Sequence, residues 1–265
     1  MMSMRTALGL ILALTILPAL ADTPPHGRWQ PLPALWDEFN GNALDTSRWE
    51  SRSPYYQGKP PGQYSTRNID VDQGMLKLWA RAETLPNAPS GYHDFTVAHL
   101  KSRQMIKYGY FEVRAKAMDA RINSAFWLGR WTESGTYEID IMEVGGASQG
   151  HETAVHTNTH VFLGDPALEN DRNRLSDPFT FEASRRLADD FHVYGLEWDE
   201  QELRFYFDNR LIRRKANTHW HVPMHVMLTV ETHPDWMGLP NRNDLPRAFL
   251  LDYFRAWRRG ESAPR

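Results

Sequence analysis

The 265-residue sequence predicts an all-β chain folded as a sandwich of antiparallel sheets. Short segments alternate apolar with polar residues, turn residues punctuate them, and helical periodicity is scarce. The composition, 41% hydrophobic and 24% charged, is that of a globular protein, and the length suits one large all-β domain.

The first 21 residues stand apart. Arg5 precedes an apolar run from Ala7 to Leu20, and Ala19-Leu20-Ala21 has the small-x-small form of a signal-peptidase site. The run is short for a bilayer span and reads as a secretory signal, so residues 22–265 are expected to form the single mature domain. Its removal takes the formal charge from −3 to −4. No later stretch is long and apolar enough to span a bilayer, and no basic excess suits nucleic acid. The expected product is a secreted or periplasmic monomer with neither a membrane nor a nucleic-acid partner. Cysteine is absent, which excludes disulfides, thiol nucleophiles and cysteine metal sites.

In order, Asp22 to Pro33 is a proline-rich extended lead-in, and Gly58-Lys59-Pro60-Pro61-Gly62 is a loop. Ile69 to Ala80 predicts two strands around Asp72-Gln73-Gly74. Tyr110 to Met118 alternates cleanly, Phe111, Val113, Ala115 and Ala117 against Glu112, Arg114 and Lys116. Further strands are predicted at Ser124–Leu128, Tyr137–Val144, Ala154–Phe162, His192–Trp198, the segment ending at Phe207, Leu211-Ile212, Val226–Val230 and Leu250–Trp257. Gly164 to Asp190 is polar and reads as a long loop with a short helical turn.

The chemistry concentrates in Glu138-Ile139-Asp140-Ile141-Met142-Glu143. Glu138 and Asp140 share one strand face, and Glu143 falls on the other unless a bulge at Ile141-Met142 returns it. Acids crowded on one face repel, so one ionised carboxylate raises the pKa of the next. Such a pair suits glycoside hydrolysis, with one carboxylate as nucleophile and one carboxylic acid as proton donor. On a single bulged strand the close, retaining separation of about 5–5.5 Å is easier to reach than the wider inverting one. Asp140, between them, is placed to hold a proton or bond the nucleophile. The alternatives are a calcium or magnesium site on the same acids, or an exposed acidic strand.

Trp127 and Trp131 precede the acids, and Trp236 follows Glu231-Thr232-His233. Aromatic faces pack on the C–H faces of sugar rings. Trp36, Trp49, Trp198 and Trp257 read as core, while Trp127 fits core or cleft equally. His156, Asn158 and His160 recur at period two, on one face of a strand. If that strand pairs beside the acidic one, all three face the same cleft. Two of these histidines suit zinc by type, but no acid shares their local spacing.

These residues resemble the signature of glycoside hydrolase family 16, in its form with the inserted bulge residue. The resemblance extends to Trp36-Asp37-Glu38-Phe39-Asn40-Gly41, the Tyr108–Arg114 strand, Ser124–Leu128, Phe191–Trp198 and Leu251–Trp257. It implies a β-jelly-roll with a concave cleft, Glu138 as nucleophile, Glu143 as acid/base and Asp140 as assisting acid. No cofactor is required for catalysis. The family often carries a structural calcium, for which the matching positions are Glu38, the Gly74 carbonyl and Asp252.

Asn158–Phe162 and Glu231–Trp236 look more like agarases, porphyranases and κ-carrageenases than laminarinases. The expected partner is therefore a red-algal galactan, with an endo-β-1,3-glucanase or a non-catalytic carbohydrate-binding protein as alternatives. The substrate-binding set expected is Asn68, Arg103, Trp127, Trp131, His156, Asn158, His160, Glu231 and Trp236. Arg67, Arg103 and Arg130 are candidates for reading sulfate, against the ordinary role of arginine as a surface residue.

Overall fold

A computed structural model describes Pro24 and residues 27–53, 56–164 and 174–260. The expected leader, residues 1–21, lies outside the described residues. Among those described, no helix is long and apolar enough to cross a membrane.

Seventeen strands are described: β1 Trp29–Pro31, β2 Trp49–Glu50, β3 Gly62–Tyr64, β4 Ile69–Asp72, β5 Met75–Ala80, β6 Phe95–Ile106, β7 Gly109–Lys116, β8 Asn123–Thr132, β9 Gly135–Val144, β10 Ala154–Leu163, β11 Arg174–Ser176, β12 Phe179–Glu182, β13 His192–Trp198, β14 Glu202–Phe207, β15 Arg210–Ala216, β16 Met224–Glu231 and β17 Arg247–Arg259. One sheet runs β15-β14-β13-β7-β17-β5-β4, with β1 on β17. The other runs β11-β10-β9-β8-β16-β6-β2, with β12 on β10 and β3 on β6. Pairing is antiparallel except between β3 and β6.

The two sheets close on one core. Leu76, Leu78, Phe111, Val113, Leu196, Phe205 and Leu251 come from the first sheet, and Phe126, Leu128, Ile139, Leu228 and Val230 from the second. Each is at most 1% exposed, and burying such a side chain contributes about 1.5–3 kcal/mol. Trp49 and Trp198 lie in this core as expected. Trp257 is buried elsewhere, with Tyr110 and Tyr206, and half-buried Trp29 and Trp36 pack against this second cluster.

Alternation set the faces of most strands, but β6 escapes it. From Phe95 to Ser102 every residue is buried, with Thr96, His99, Lys101 and Ser102 among them. Neither a period of two nor a continuous apolar run is left to read. The described part of Gly164 to Asp190 corrects the expectation of a long loop, since it forms β11 and β12, both paired to β10. Residues 165–173 lie outside the described residues, and with them the rest of the segment in which a helical turn was expected.

A buried arginine ties the sheets together at this edge. Arg213 on β15 is 7% exposed. It donates to Thr157 Oγ1 on β10 at 2.9 Å and to the Asp177 carbonyl at 2.5 Å, and pairs with the Asp177 carboxylate at 3.2 Å. Methionine keeps the stem and removes these bonds, so Arg213→Met is expected to cost about 2–3 kcal/mol. Denaturant unfolding would register it as a lower midpoint at unchanged slope.

Candidate active site

Strand β9 is the floor of a cleft of about 760 Å³, and the bulge lets it present three acids. On the β8 side Met142 faces Phe126 and Asp140 faces Trp127. On the β10 side Glu143 faces His156 and Asp140 faces Asn158. Ile141 is skipped in both registers. The extra residue sits where the sequence places it, and Glu138, Asp140 and Glu143 all line the cleft. Ile139, Ile141 and Met142 point into the core, which anchors the acids from behind.

The same register puts His160 opposite Glu138. Its Nε2 lies 3.3 Å from Asp140 Oδ2 and 3.7 Å from Glu138 Oε1. Glu143 accepts a hydrogen bond from Asn123 Nδ2 at 2.9 Å. Burial, then the charge of Asp140, pushes the Glu138 carboxyl up to about 8. Asp140, 4% exposed, is also raised, by burial first and then by the charge of Glu143. Burial lowers His160, against the attraction of the Glu138 carboxylate.

A fourth acid in the cleft has the opposite environment. Glu231, at the end of β16, accepts hydrogen bonds on Oε1 from the hydroxyls of Tyr56 (2.6 Å) and Tyr64. Its Oε2 faces Lys59 at 3.7 Å and His233 at 3.6 Å. Burial raises the carboxyl, but the His233 hydrogen bond and the Lys59 charge overcome this and hold it well below the usual range.

The walls are aromatic. Trp131 lies opposite Thr136, two residues before Glu138, and meets Trp127 edge-on at 6.0 Å. Trp127 is 7% exposed, donates to Thr229 Oγ1 at 3.1 Å and packs with Met227 on the cleft side rather than in the main core. Near Glu143, Trp236 packs on His156 at 5.0 Å. His156 meets His151 at 2.9 Å through Nε2 and Thr180 at 2.9 Å through Nδ1. Asn158 Oδ1 accepts from Ser176 Oγ and the Asp177 amide, which ties β10 to the segment joining β11 and β12.

Of the expected substrate-binding residues, Trp127, Trp131, His156, Asn158, His160, Glu231 and Trp236 line the cleft. Asn68 and Arg103 do not. Asn68 is fully buried, donates to Thr96 Oγ1 and the Val97 carbonyl, and accepts from Arg81. Arg103 lies at the β2 edge, where it donates to the Thr46 carbonyl and pairs with Glu50. Of the other two sulfate candidates, Arg67 pairs with Glu83 and Arg130 packs on Met105, both outside this cleft.

In the expected calcium set, both carboxylates are held by arginines. Arg255 binds both oxygens of Glu38 at 2.8 and 2.9 Å, and Arg114 binds Asp252 at 2.8 Å. Each carboxylate is already neutralised by a guanidinium, so the donors do not fit a calcium ion.

Sequence reasoning missed Tyr56, Lys59, Asn123, Arg174, Thr229 and His233, all of which line the cleft. Asn123 was within reach, since it shares period two with Ala125 and Trp127. Tyr56 and Lys59 arrive on a loop held by long-range contacts, the Gly62 amide to Thr232 Oγ1 and Thr232 Oγ1 to the Lys59 carbonyl. No local pattern announces them.

Residues 29–259 match the family model described as beta-porphyranase A-D, GH16 domain. Beta-porphyranase E of Zobellia galactanivorans is 28% identical over 239 residues, covering 83% of this chain and 84% of that protein. Glucan endo-1,3-beta-glucosidase A1 of Niallia circulans is 26% identical over 264 residues, covering 84% of this chain but 37% of that protein. The chain therefore spans little more than a third of that relative's length. The crystal structure of porphyranase B from Zobellia galactanivorans matches with a TM-score of 0.76 at 24% identity, over 91% of this chain and 97% of that one. The sandwich is thus the jelly roll that the sequence implied, and the chain belongs to glycoside hydrolase family 16, within the group of GH16 domains that this family model describes.

Proposed function

We propose that the protein is a secreted, retaining endo-hydrolase of a red-algal galactan, with porphyran as the first candidate. The observation that carries the reading is the bulged strand, which sets Glu138, Asp140 and Glu143 together on the cleft floor.

In the first step the Glu138 carboxylate attacks the anomeric carbon. Glu143 gives its proton to the glycosidic oxygen, and the leaving sugar departs as an alcohol. In the second step Glu143 takes a proton from water, whose oxygen displaces Glu138 and restores the original configuration. Asp140 holds the proton of the Glu138–Asp140 pair. Once it is neutral, the charge that opposes ionisation of Glu138 is gone, and its hydroxyl can donate to the nucleophile. Asn123 orients Glu143. Trp131 and Trp236 offer stacking faces on either side of the acids.

Two observations favour a sulfated galactan: the family model and the cations Lys59 and Arg174 in the cleft lining. A cation in an otherwise acidic cleft gives a sulfate ester an ionic partner. The test is the release of reducing ends from porphyran, agarose, κ-carrageenan and laminarin. The expected result is oligosaccharides from porphyran at the highest rate. Activity on laminarin with none on any galactan would replace the reading with a β-1,3-glucanase, which the Niallia circulans relative supports. Binding without any new reducing ends would replace it with a non-catalytic lectin-like role.

A further inference from the structure

We infer that Glu138, Asp140 and His160 together form a site for zinc or a zinc-like divalent ion, and that its occupancy closes the cleft chemistry reversibly. The three residues converge from two strands. Period two along β9 puts Glu138 and Asp140 on one face, and the β9–β10 register brings His160 opposite Glu138. One donor atom from each lies within 4.8 Å of the other two.

The spacing suits the ion. Zinc bonds of about 2.0–2.1 Å in a tetrahedron put neighbouring ligand atoms about 3.3–3.4 Å apart. His160 Nε2 and Asp140 Oδ2 are 3.3 Å apart, and His160 Nε2 and Glu138 Oε1 are 3.7 Å apart. The first edge is in place, and the second closes by a few tenths of an ångström through side-chain rotation. All three residues line the cleft, through which an ion would reach them.

The donor chemistry selects among ions. Calcium and magnesium take oxygen donors, whereas imidazole with carboxylates suits zinc or copper. His160 is 8% exposed, its Nδ1 is buried without a hydrogen-bond partner among the described residues, and its Nε2 is turned onto both carboxylates. The imidazole is therefore oriented by its surroundings toward the acids. An imidazole with no outer partner on its other nitrogen is a weaker ligand than one with it, which fits an ion that comes and goes. A bound ion occupies the lone pairs of Glu138 that would attack the sugar. The inhibitory half of the inference rests on the role proposed for Glu138, and the binding half does not.

A rival lies in the same cleft wall. His151 Nδ1 and His156 Nε2 are 2.9 Å apart and offer two nitrogen donors to an ion. Variants His160→Gln and His156→Gln separate the two sites, and Asp140→Asn provides a second probe of the first.

The experiment titrates metal-free, full-length protein with cobalt chloride, followed by its visible tetrahedral bands, and then displaces cobalt with zinc chloride. Melting temperature and hydrolysis are read in the same samples. Wild type and His156→Gln are expected to show the bands, to melt several degrees higher with excess zinc, and to lose at least about tenfold in rate, restored by dialysis against a chelator. His160→Gln and Asp140→Asn, checked for native circular dichroism, are expected to lose the bands and the melting shift, with apparent affinity down at least about tenfold. Bands and shift retained in His160→Gln, or lost in His156→Gln, would overturn the site. Bands with an unchanged hydrolysis rate would overturn the inhibition. If metal-free wild type cuts no polysaccharide, the hydrolase reading fails, and the cobalt spectrum still decides the site.

Discussion

Replacing Glu138 with glutamine is expected to lower kcat by about 10⁴-fold or more and, at pH 8, to raise the melting temperature. The loss follows from removing the nucleophile of a two-step displacement, for which no other group on the strand can substitute. The gain follows from the environment of the carboxyl. Burial and the neighbouring Asp140 raise it from the ordinary 4.5 to about 8. Between those values the unfolded chain releases a proton that the native Glu138–Asp140 pair keeps, so stability falls as pH rises through the window. Glutamine has the same shape and no proton to release. Because Glu138 keeps part of its side chain exposed, about 2–3 kcal/mol is expected at pH 8, a rise of roughly 4–12 °C. The difference should vanish near pH 4. Thermal melts of both proteins from pH 4 to 8 check it, and a variant no more stable at pH 8 would contradict the electrostatic account.

Glu231→Ala should have the opposite effect on stability and a larger one. Its carboxylate is 5% exposed and collects Tyr56, Tyr64, Lys59 and His233. Alanine leaves these donors facing a void, at an expected cost of about 3–5 kcal/mol and roughly 6–20 °C in melting temperature. Glutamine should recover part of that. Its carbonyl can still accept from the tyrosines, but its amide meets the Lys59 ammonium donor to donor. The pH dependence also reverses. A carboxyl held well below its usual range stabilises the fold above about pH 4.5, and that stability is lost as pH falls below it. Glu231→Gln should therefore flatten the acid side of the stability profile, measured by denaturant unfolding from pH 3 to 7. Two glutamates of one cleft would thus push the profile in opposite directions.

The sandwich was legible because most strands have one face in the core, as Phe111, Val113 and Ala115 do against Arg114 and Lys116. The acidic site was legible because a strand with Glu138, Asp140 and Glu143 needs a bulge to present them together, and the register skips Ile141 as that argument requires. His156 and His160 were placed by period two, although only His160 reaches the acids. Strand β6 was not legible, since burial on both faces removes the alternation. Nor was the Glu231 hub, because Tyr56, Lys59 and Tyr64 reach it from more than 160 residues away. Asn68 and Arg103 illustrate the converse. Both are polar residues of the types that bind sugars, and the fold uses them to tie strands and loops together.

The most direct test of the central claim is the anomeric configuration of the first product. Proton NMR of galactan oligosaccharides, recorded in the first minutes of hydrolysis before mutarotation, reports it. Retention of configuration is the result expected from a nucleophile and an acid/base on one bulged strand. Inversion would contradict the roles given to Glu138 and Glu143.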